Sequence, residues 1–182
     1  MEIRLKNIYV GERLSRETTA FQATLYINGY RVGVITNDGQ GAATMYRPID
    51  DRGVALIKEA EFWCKGLPPV IFSDEMVDCK PVTVPMELEI YLDNLVTEWL
   101  NRKDLERFRR KAEKEMLTAI LFGVPDRSFR VMKYRNPIAG MIRFNKGVEQ
   151  LRLDIHKKVM PMLQENEKIL NTNIPDGIIR LL

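Results

Sequence analysis

Alternation dominates the first fifty residues. Phe21, Ala23, Leu25 and Ile27 are apolar with Gln22, Thr24 and Tyr26 between them, and after Asn28-Gly29 the residues Tyr30, Val32 and Val34 alternate with Arg31 and Gly33. A period of two on both sides of an Asn-Gly pair, whose residues tolerate positive φ, predicts a two-residue β-hairpin. The run Asn37-Asp38-Gly39-Gln40-Gly41 then predicts a second tight reversal or an exposed loop. Upstream, Ile3 and Leu5 set against Glu2, Arg4 and Lys6 predict a strand beside the hairpin, and residues 42–47 predict a short fourth strand stopped by Pro48. Such a sheet has one apolar face and needs a cover.

The period then lengthens. Asp50 or Asp51 can cap a helix reaching about Lys65, with Val54, Ile57 and Ala60 turned inward, and Gly66, Pro68 and Pro69 end it. Residues 69–85 read as a loop with one short strand. From Met86, the residues Leu88, Tyr91, Leu92, Leu95 and Trp99 recur at helical spacing, and the seam then runs onto Arg102 and Lys103. That break predicts a kink or a fresh helix capped by Asp104, running from about Leu105 to Leu121 on Phe108, Ala112, Met116 and Ile120 until Gly123 and Pro125. Ser128 to Arg135 alternates as a half-exposed strand, with residues 141–144 as a candidate partner. Asn145 is expected to cap a last helix built on Val148, Leu151, Ile155, Val159 and Met162 and kinked by Pro161, and residues 174–182 to dock as a short strand.

These elements define an α+β fold: an N-terminal antiparallel hairpin sheet covered by helices, with a helical hairpin and a second small strand pair in the C-terminal half. The expected organisation is a single compact domain over 1–182, divisible into a sheet-rich 1–85 and a helix-rich, basic 86–182. With 182 residues, 45% hydrophobic and 29% charged, the chain can bury a core of its own. No window approaches the roughly 18 apolar residues of a membrane span, and Met1 to Lys6 carries charges where a signal peptide has an apolar run, so a cytoplasmic protein without membrane contact is expected. In that compartment Cys64 and Cys79 read as small hydrophobes rather than a disulfide.

Charge changes the picture more than composition does. Residues 1–50 carry 6 basic and 5 acidic side chains, residues 51–100 carry 4 and 10, and residues 101–182 carry 18 and 10. A net charge of +3 therefore hides an acidic middle and a basic end, which either serves an acidic partner or lets the two regions dock on each other.

Most catalytic kits are missing. His156 is the only histidine, which excludes a zinc site of several histidines, and beside Lys157 and Lys158 it reads as a solvated surface residue. No phosphate-binding P-loop, dinucleotide fingerprint or nucleophile elbow occurs, and no cofactor or metal is expected. Asp78-Cys79-Lys80 has the acid-x-Lys form of metal-dependent nucleases, with Asp78 as magnesium ligand and Lys80 orienting water, provided Asp50, Asp51 or Asp74 supplies the upstream acid. Otherwise it is a solvated loop.

A binding surface is better represented. Lys103, Arg107, Arg110, Lys111 and Lys114 line one side of the expected helix, and Arg130, Lys133, Arg135, Arg143 and Lys146 follow on or beside the next strand. Glu106, four residues before Arg110, and Glu113, next to Lys114, offer the alternative of ordinary surface pairing. The loop of Asn37, Asp38, Gly39, Gln40 and Gly41 could cradle an anion with its amides or be only a turn.

The run Phe21-x-Ala23-x-Leu25-Tyr26-x-x-Gly29-x-x-Val32-Gly33, followed by Asn37-Asp38-Gly39-x-Gly41, resembles the opening of small uncharacterised proteins encoded by phages and prophages of gut bacteria. Many of those have a second glycine where Ala42 stands here. The resemblance covers roughly the first fifty residues and implies context, not an active site: small phage proteins without catalytic motifs often inhibit host defence, as anti-CRISPR proteins do. The expectation is a non-enzymatic binding protein that engages nucleic acid, dsDNA or RNA, or a host nucleic-acid-guided nuclease, with its oligomeric state open. Two other classes compete. One is a metal-dependent phosphodiesterase using Asp78 and Lys80; the other is a self-assembling structural protein whose acidic middle meets the basic end of a second copy.

Overall fold

Asn28 and Gly29, at φ 48° and 78°, turn strand β2 (Phe21–Ile27) into β3 (Tyr30–Asn37), the reversal expected of an Asn-Gly pair. The computed structural model describes the backbone of residues 1–77 and 80–180, and side chains outside 72–81. Its fold is α+β, and it divides into two units, Met1–Leu100 and Asn101–Leu182.

In the first unit, β1 (Ile3–Val10) and β4 (Met45–Pro48) flank the hairpin in an antiparallel sheet of order β1-β2-β3-β4. Its apolar pattern is not a clean period of two, and two bulges reconcile it. In β1 the core-facing positions pass from Ile3 and Leu5 to Ile8 and Val10 across a register shift between Lys6 and Tyr9, where Asn7 takes φ 52°. In β3 the pairing steps from Arg31 opposite Tyr26 to Gly33 opposite Leu25, so Val32 is the extra residue. Burial then moves to Ile35 instead of the expected Val34.

Helix α1 (Asp51–Lys65) covers this face with Ile57, Ala60 and Cys64. Asp50 is its N-cap, accepting from the Gly53 N–H at 2.7 Å, and its other oxygen accepts from the Tyr30 hydroxyl. Gly53 is needed here because a Cβ would meet the Val32 carbonyl oxygen at 2.8 Å. Val54 faces outward instead of inward, since the buried seam runs Gly53, Ile57, Ala60, Cys64. Strands β5 (Val70–Val77) and β6 (Lys80–Val84) pair antiparallel, where a single strand was expected. In a sheet that is all edge, Pro81 costs no interior ladder bond.

Helix α2 (Leu88–Met116) is one continuous helix, the single long helix that the sequence pattern allowed as the alternative to a helical hairpin. Arg102 and Lys103 interrupt its apolar seam without interrupting its backbone, because residues 101–104 include no proline or glycine. The seam breaks because one core ends there: Leu88, Leu92 and Val96 belong to the first unit's core, and Phe108, Ala112 and Met116 to a core of the second. The helix also ends earlier than the sequence pattern implied. The Asn173 side-chain amide donates to the Met116 carbonyl at 2.6 Å and caps the last turn.

After Leu117 and Thr118, Ala119–Val124 form strand β7, the centre of a three-stranded antiparallel sheet of order β8-β7-β9, with β8 (Ser128–Lys133) and β9 (Lys168–Ile169) at its edges. Ala119 and Leu121 pack with Phe108, Ala112 and Met116; Ile120 and Phe122 pack with Ile138, Leu151, Ile155, Val159, Ile174 and Ile178. That second layer comes from α3 (Ile138–Ile142), α4 (Asn145–Asp154), the π-helical turn Ile155–Val159 that continues it, and α5 (Asp176–Ile179). Residues 141–144 thus end a helix instead of pairing with β8, Phe144 and not Asn145 stands at the α4 N-cap, and the tail is a short helix, not a strand. Pro161 lies in a 3-10 turn, Met160–Met162, that ends the run, leaving Met162 exposed.

Asn171 closes the β7 ladder where β9 runs out. Its side chain, in a residue 7% exposed, accepts from the Leu121 N–H at 2.6 Å and donates to the Ala119 carbonyl at 3.0 Å, imitating one peptide unit of a neighbouring strand. Asn171→Ala strands both backbone groups in the core and is expected to lower stability by about 2 kcal/mol or more, read as an earlier urea midpoint.

Candidate polyanion interface in the C-terminal unit

The boundary between the units is also a boundary in charge. Residues 1–100 carry 10 basic and 15 acidic side chains, a net of −5, and residues 101–182 carry 18 and 10, a net of +8.

The five cations expected on one helix face all lie on α2, but carboxylates of the same helix engage three of them. Lys103 pairs with Glu106 at 3.2 Å, Arg107 with Asp104 at 3.4 Å, and Arg110 with Glu106 at 3.8 Å. The Lys103 bond holds the Glu106 carboxyl below its usual range. Lys111 reaches over the Phe129 ring at 5.6 Å, an arrangement that leaves its charge unneutralised. Lys114 is exposed and has no carboxylate at ion-pair distance among the described residues.

The cations after α2 divide the same way. Arg130 is committed to the fold: it donates to the Met162 carbonyl at 2.9 Å and to Glu167, and stacks over Phe122. Lys133 pairs with Glu115 at 3.0 Å, joining β8 to the last turn of α2. Arg135, Arg143 and Lys146 are exposed and, among the described residues, unpaired. Arg135 is held on a fixed segment, between a Tyr134 N–H bond to the Thr118 carbonyl at 2.8 Å and an Ile138 N–H bond to the Leu117 carbonyl at 2.9 Å. Arg143 and Lys146 flank the junction of α3 and α4, where a Cβ on Gly147 would meet the Met141 carbonyl oxygen at 2.2 Å, so the two helices abut. Lys158, by contrast, is taken up by the buried Asp154 at 2.6 Å. Burial alone would raise the Asp154 carboxyl, but bonds from Lys158, Gln150 and Tyr134 outweigh it and hold it below the usual range.

The glycine loop uses its amides internally. Gly39 donates to Asn37 Oδ1 at 2.8 Å, Gln40 to Asp38 Oδ1 at 3.0 Å, and Gly41 to the Thr18 hydroxyl at 3.4 Å. The Gly39 carbonyl accepts from the Arg16 and Glu17 amides, and the buried Asn37 ties the loop to Thr18, Ala42 and Thr44. Residues 37–41 therefore clasp the segment between β1 and β2, and those three amides are not aimed at a ligand. Asp78 and Cys79 lie outside the described residues, as does the Lys80 side chain. Among the described residues no three carboxylate, cysteine or histidine groups converge to hold a metal ion, and no helix is long and apolar enough to cross a membrane.

Three features escaped the sequence reading. Arg109 grips Asp126 with two bonds of 3.1 Å, holding the β7–β8 turn to α2 beside a groove of about 420 Å³ lined by Phe108, Met116, Ile169 and Leu170. Phe144 is 69% exposed between Arg143 and Lys146; read as part of a strand, it carried no meaning. In the first unit, Thr44 donates its N–H to Glu89 at 2.8 Å and its hydroxyl to Asp93 at 2.9 Å. Burial, with Glu89, Glu61, Asp93 and Glu87 nearby, drives the Tyr46 phenol far above its ordinary value.

Asp93 belongs to that acidic group, and burial, with Glu89 adding to it, raises its carboxyl above the usual range despite the bond from Thr44. A carboxyl with a raised folded pKa favours folding below its unfolded pKa, and that contribution is lost as pH rises through the folded value. Asp93→Asn is expected to raise the melting temperature at pH 7 and to raise it less at pH 4, measured by calorimetry. No protein-family model, curated protein or solved structure matches the chain, and the reading of its surface rests on geometry and charge.

Proposed function

We propose that the C-terminal unit is a non-enzymatic module that binds nucleic acid through the cations its own carboxylates leave unpaired. One observation carries this reading: in a unit of net charge +8, Lys114, Arg135, Arg143 and Lys146 are all exposed and without a carboxylate partner among the described residues. An exposed cation with a carboxylate neighbour, as Arg107 has in Asp104, offers a ligand less net charge than one without. These four, with Lys111, hold positive potential that a phosphate backbone would neutralise with release of its counterions. The paired cations add to it weakly, since an exposed ion pair is worth about 0–1 kcal/mol and phosphates can displace the carboxylate.

The phage-type context implied by the N-terminal hairpin extends the proposal. A guide RNA or a displaced DNA target in a host nuclease complex presents the same phosphates, and a module that occupies them would inhibit such an enzyme.

The test is equilibrium binding to duplex DNA and to RNA over a range of salt. The protein is expected to bind both, with affinity falling steeply as salt rises. Replacing Lys114, Arg135, Arg143 and Lys146 together by Ala should reduce the salt slope by about 3 to 4, at about 0.9 per phosphate contact on duplex DNA. Lys58→Ala in the acidic unit should change nothing. A four-residue variant that binds like the wild type would remove this surface from the account.

A further inference from the structure

Phe144 is the most anomalous side chain of the basic unit. It occupies the N-cap of α4, a position that favours Ser, Thr, Asp or Asn, and it makes no side-chain capping bond there. It is also 69% exposed, so it contributes little to the core. Neither capping nor packing accounts for an aromatic ring at this point. Its surroundings are informative: Arg143 precedes it, Lys146 follows two residues later, both without a carboxylate partner among the described residues, and Arg135 stands at the other end of α3. α3 is a helix of only five residues, a rise of about 7.5 Å, with Arg135 three residues before it and Arg143 immediately after it. The ring's backbone is fixed, because its carbonyl accepts from the Gly147 N–H at 2.9 Å and the Val148 N–H at 3.0 Å, and its N–H donates to the Met141 carbonyl at 3.2 Å.

Resting on the nucleic-acid reading above, we infer that this surface takes single-stranded nucleic acid, with an unpaired base stacked on Phe144 and phosphates on Arg143, Lys146 and Arg135. A flat exposed ring between cations is what a single strand needs, because every base has a π-face and the backbone has a charge at each step. A duplex gains less from the ring, since its bases are already stacked on one another and a step must be unstacked before Phe144 can enter. Exposure alone does not make such a platform. Phe62 on α1 is 81% exposed, but it belongs to the unit of net charge −5, whereas Phe144 stands in the unit of net charge +8.

The experiment compares anisotropy titrations of the full chain against a fluorescent oligothymidylate of about 12 nucleotides and a duplex of equal length, with Phe144→Ala, Phe144→Trp and the double variant Arg143→Ala, Lys146→Ala. The expected result is tighter binding of the single strand, weakened about tenfold or more by Phe144→Ala with the salt slope unchanged, and retained by Phe144→Trp. The double variant should weaken binding and lower the slope. Circular dichroism confirms that each variant is folded. If the double variant weakens binding and Phe144→Ala does not, or if the duplex binds as tightly as the single strand, stacking is overturned while the phosphate-binding reading stands. If the wild type binds neither probe, both fail.

Discussion

A strand that is buried on both faces has no solvent side, and this constraint organises the C-terminal unit around Ala119–Val124. Ala119 and Leu121 must be covered from one side and Ile120 and Phe122 from the other, so the second half of α2 occupies one face and α3, α4 and α5 the other. Each side of the strand also has to be hydrogen-bonded along its length. β8 satisfies one side, and on the other β9 runs out after two residues, where the side chain of Asn171 completes the ladder. With the interior closed in this way, charged residues are left to the periphery, and the excess of cations there is not balanced by nearby acids.

Much of the N-terminal unit is legible in the sequence because its signals are local. An Asn-Gly pair fixes a hairpin, and Asp50 announces a helix three residues before the Gly53 amide it caps. What alternation could not convey was phase. A bulge at Asn7 and another at Val32 each move the buried face by one residue, and the bulged residues look ordinary in the pattern. The C-terminal unit is less legible for the opposite reason, since its decisive interactions are distant. Ala119–Val124 is a short continuous apolar run, equally compatible with a buried strand and with the end of an apolar helix. Asn173 caps α2 across 57 positions and Asn171 pairs with Leu121 across 50. The break in the α2 seam at Arg102 was a real signal: it marks the passage from one core to the next within a continuous helix.

The basic surface shows a similar division between composition and geometry. The cations were visible in the sequence and their availability was not. Arg130 looked like its neighbours, yet it pins residues 162–167 to β8, while Lys146 is exposed and, among the described residues, unpaired. The glycine loop, the most conspicuous motif in the chain, is a clasp built on Asn37. Phe144, hidden in what read as a strand, stands 69% exposed at the start of α4 and makes no capping bond there.

The central claim is that nucleic acid meets the second unit around α3 and the ends of the helices beside it. Hydrogen–deuterium exchange on the full chain, with and without a saturating oligothymidylate, tests it most directly. The account predicts protection confined to the last turn of α2 and to residues 133–148, with the loop at 37–41 unchanged. Protection centred in the first unit, or on the 37–41 loop with the 133–148 segment unaffected, would contradict it.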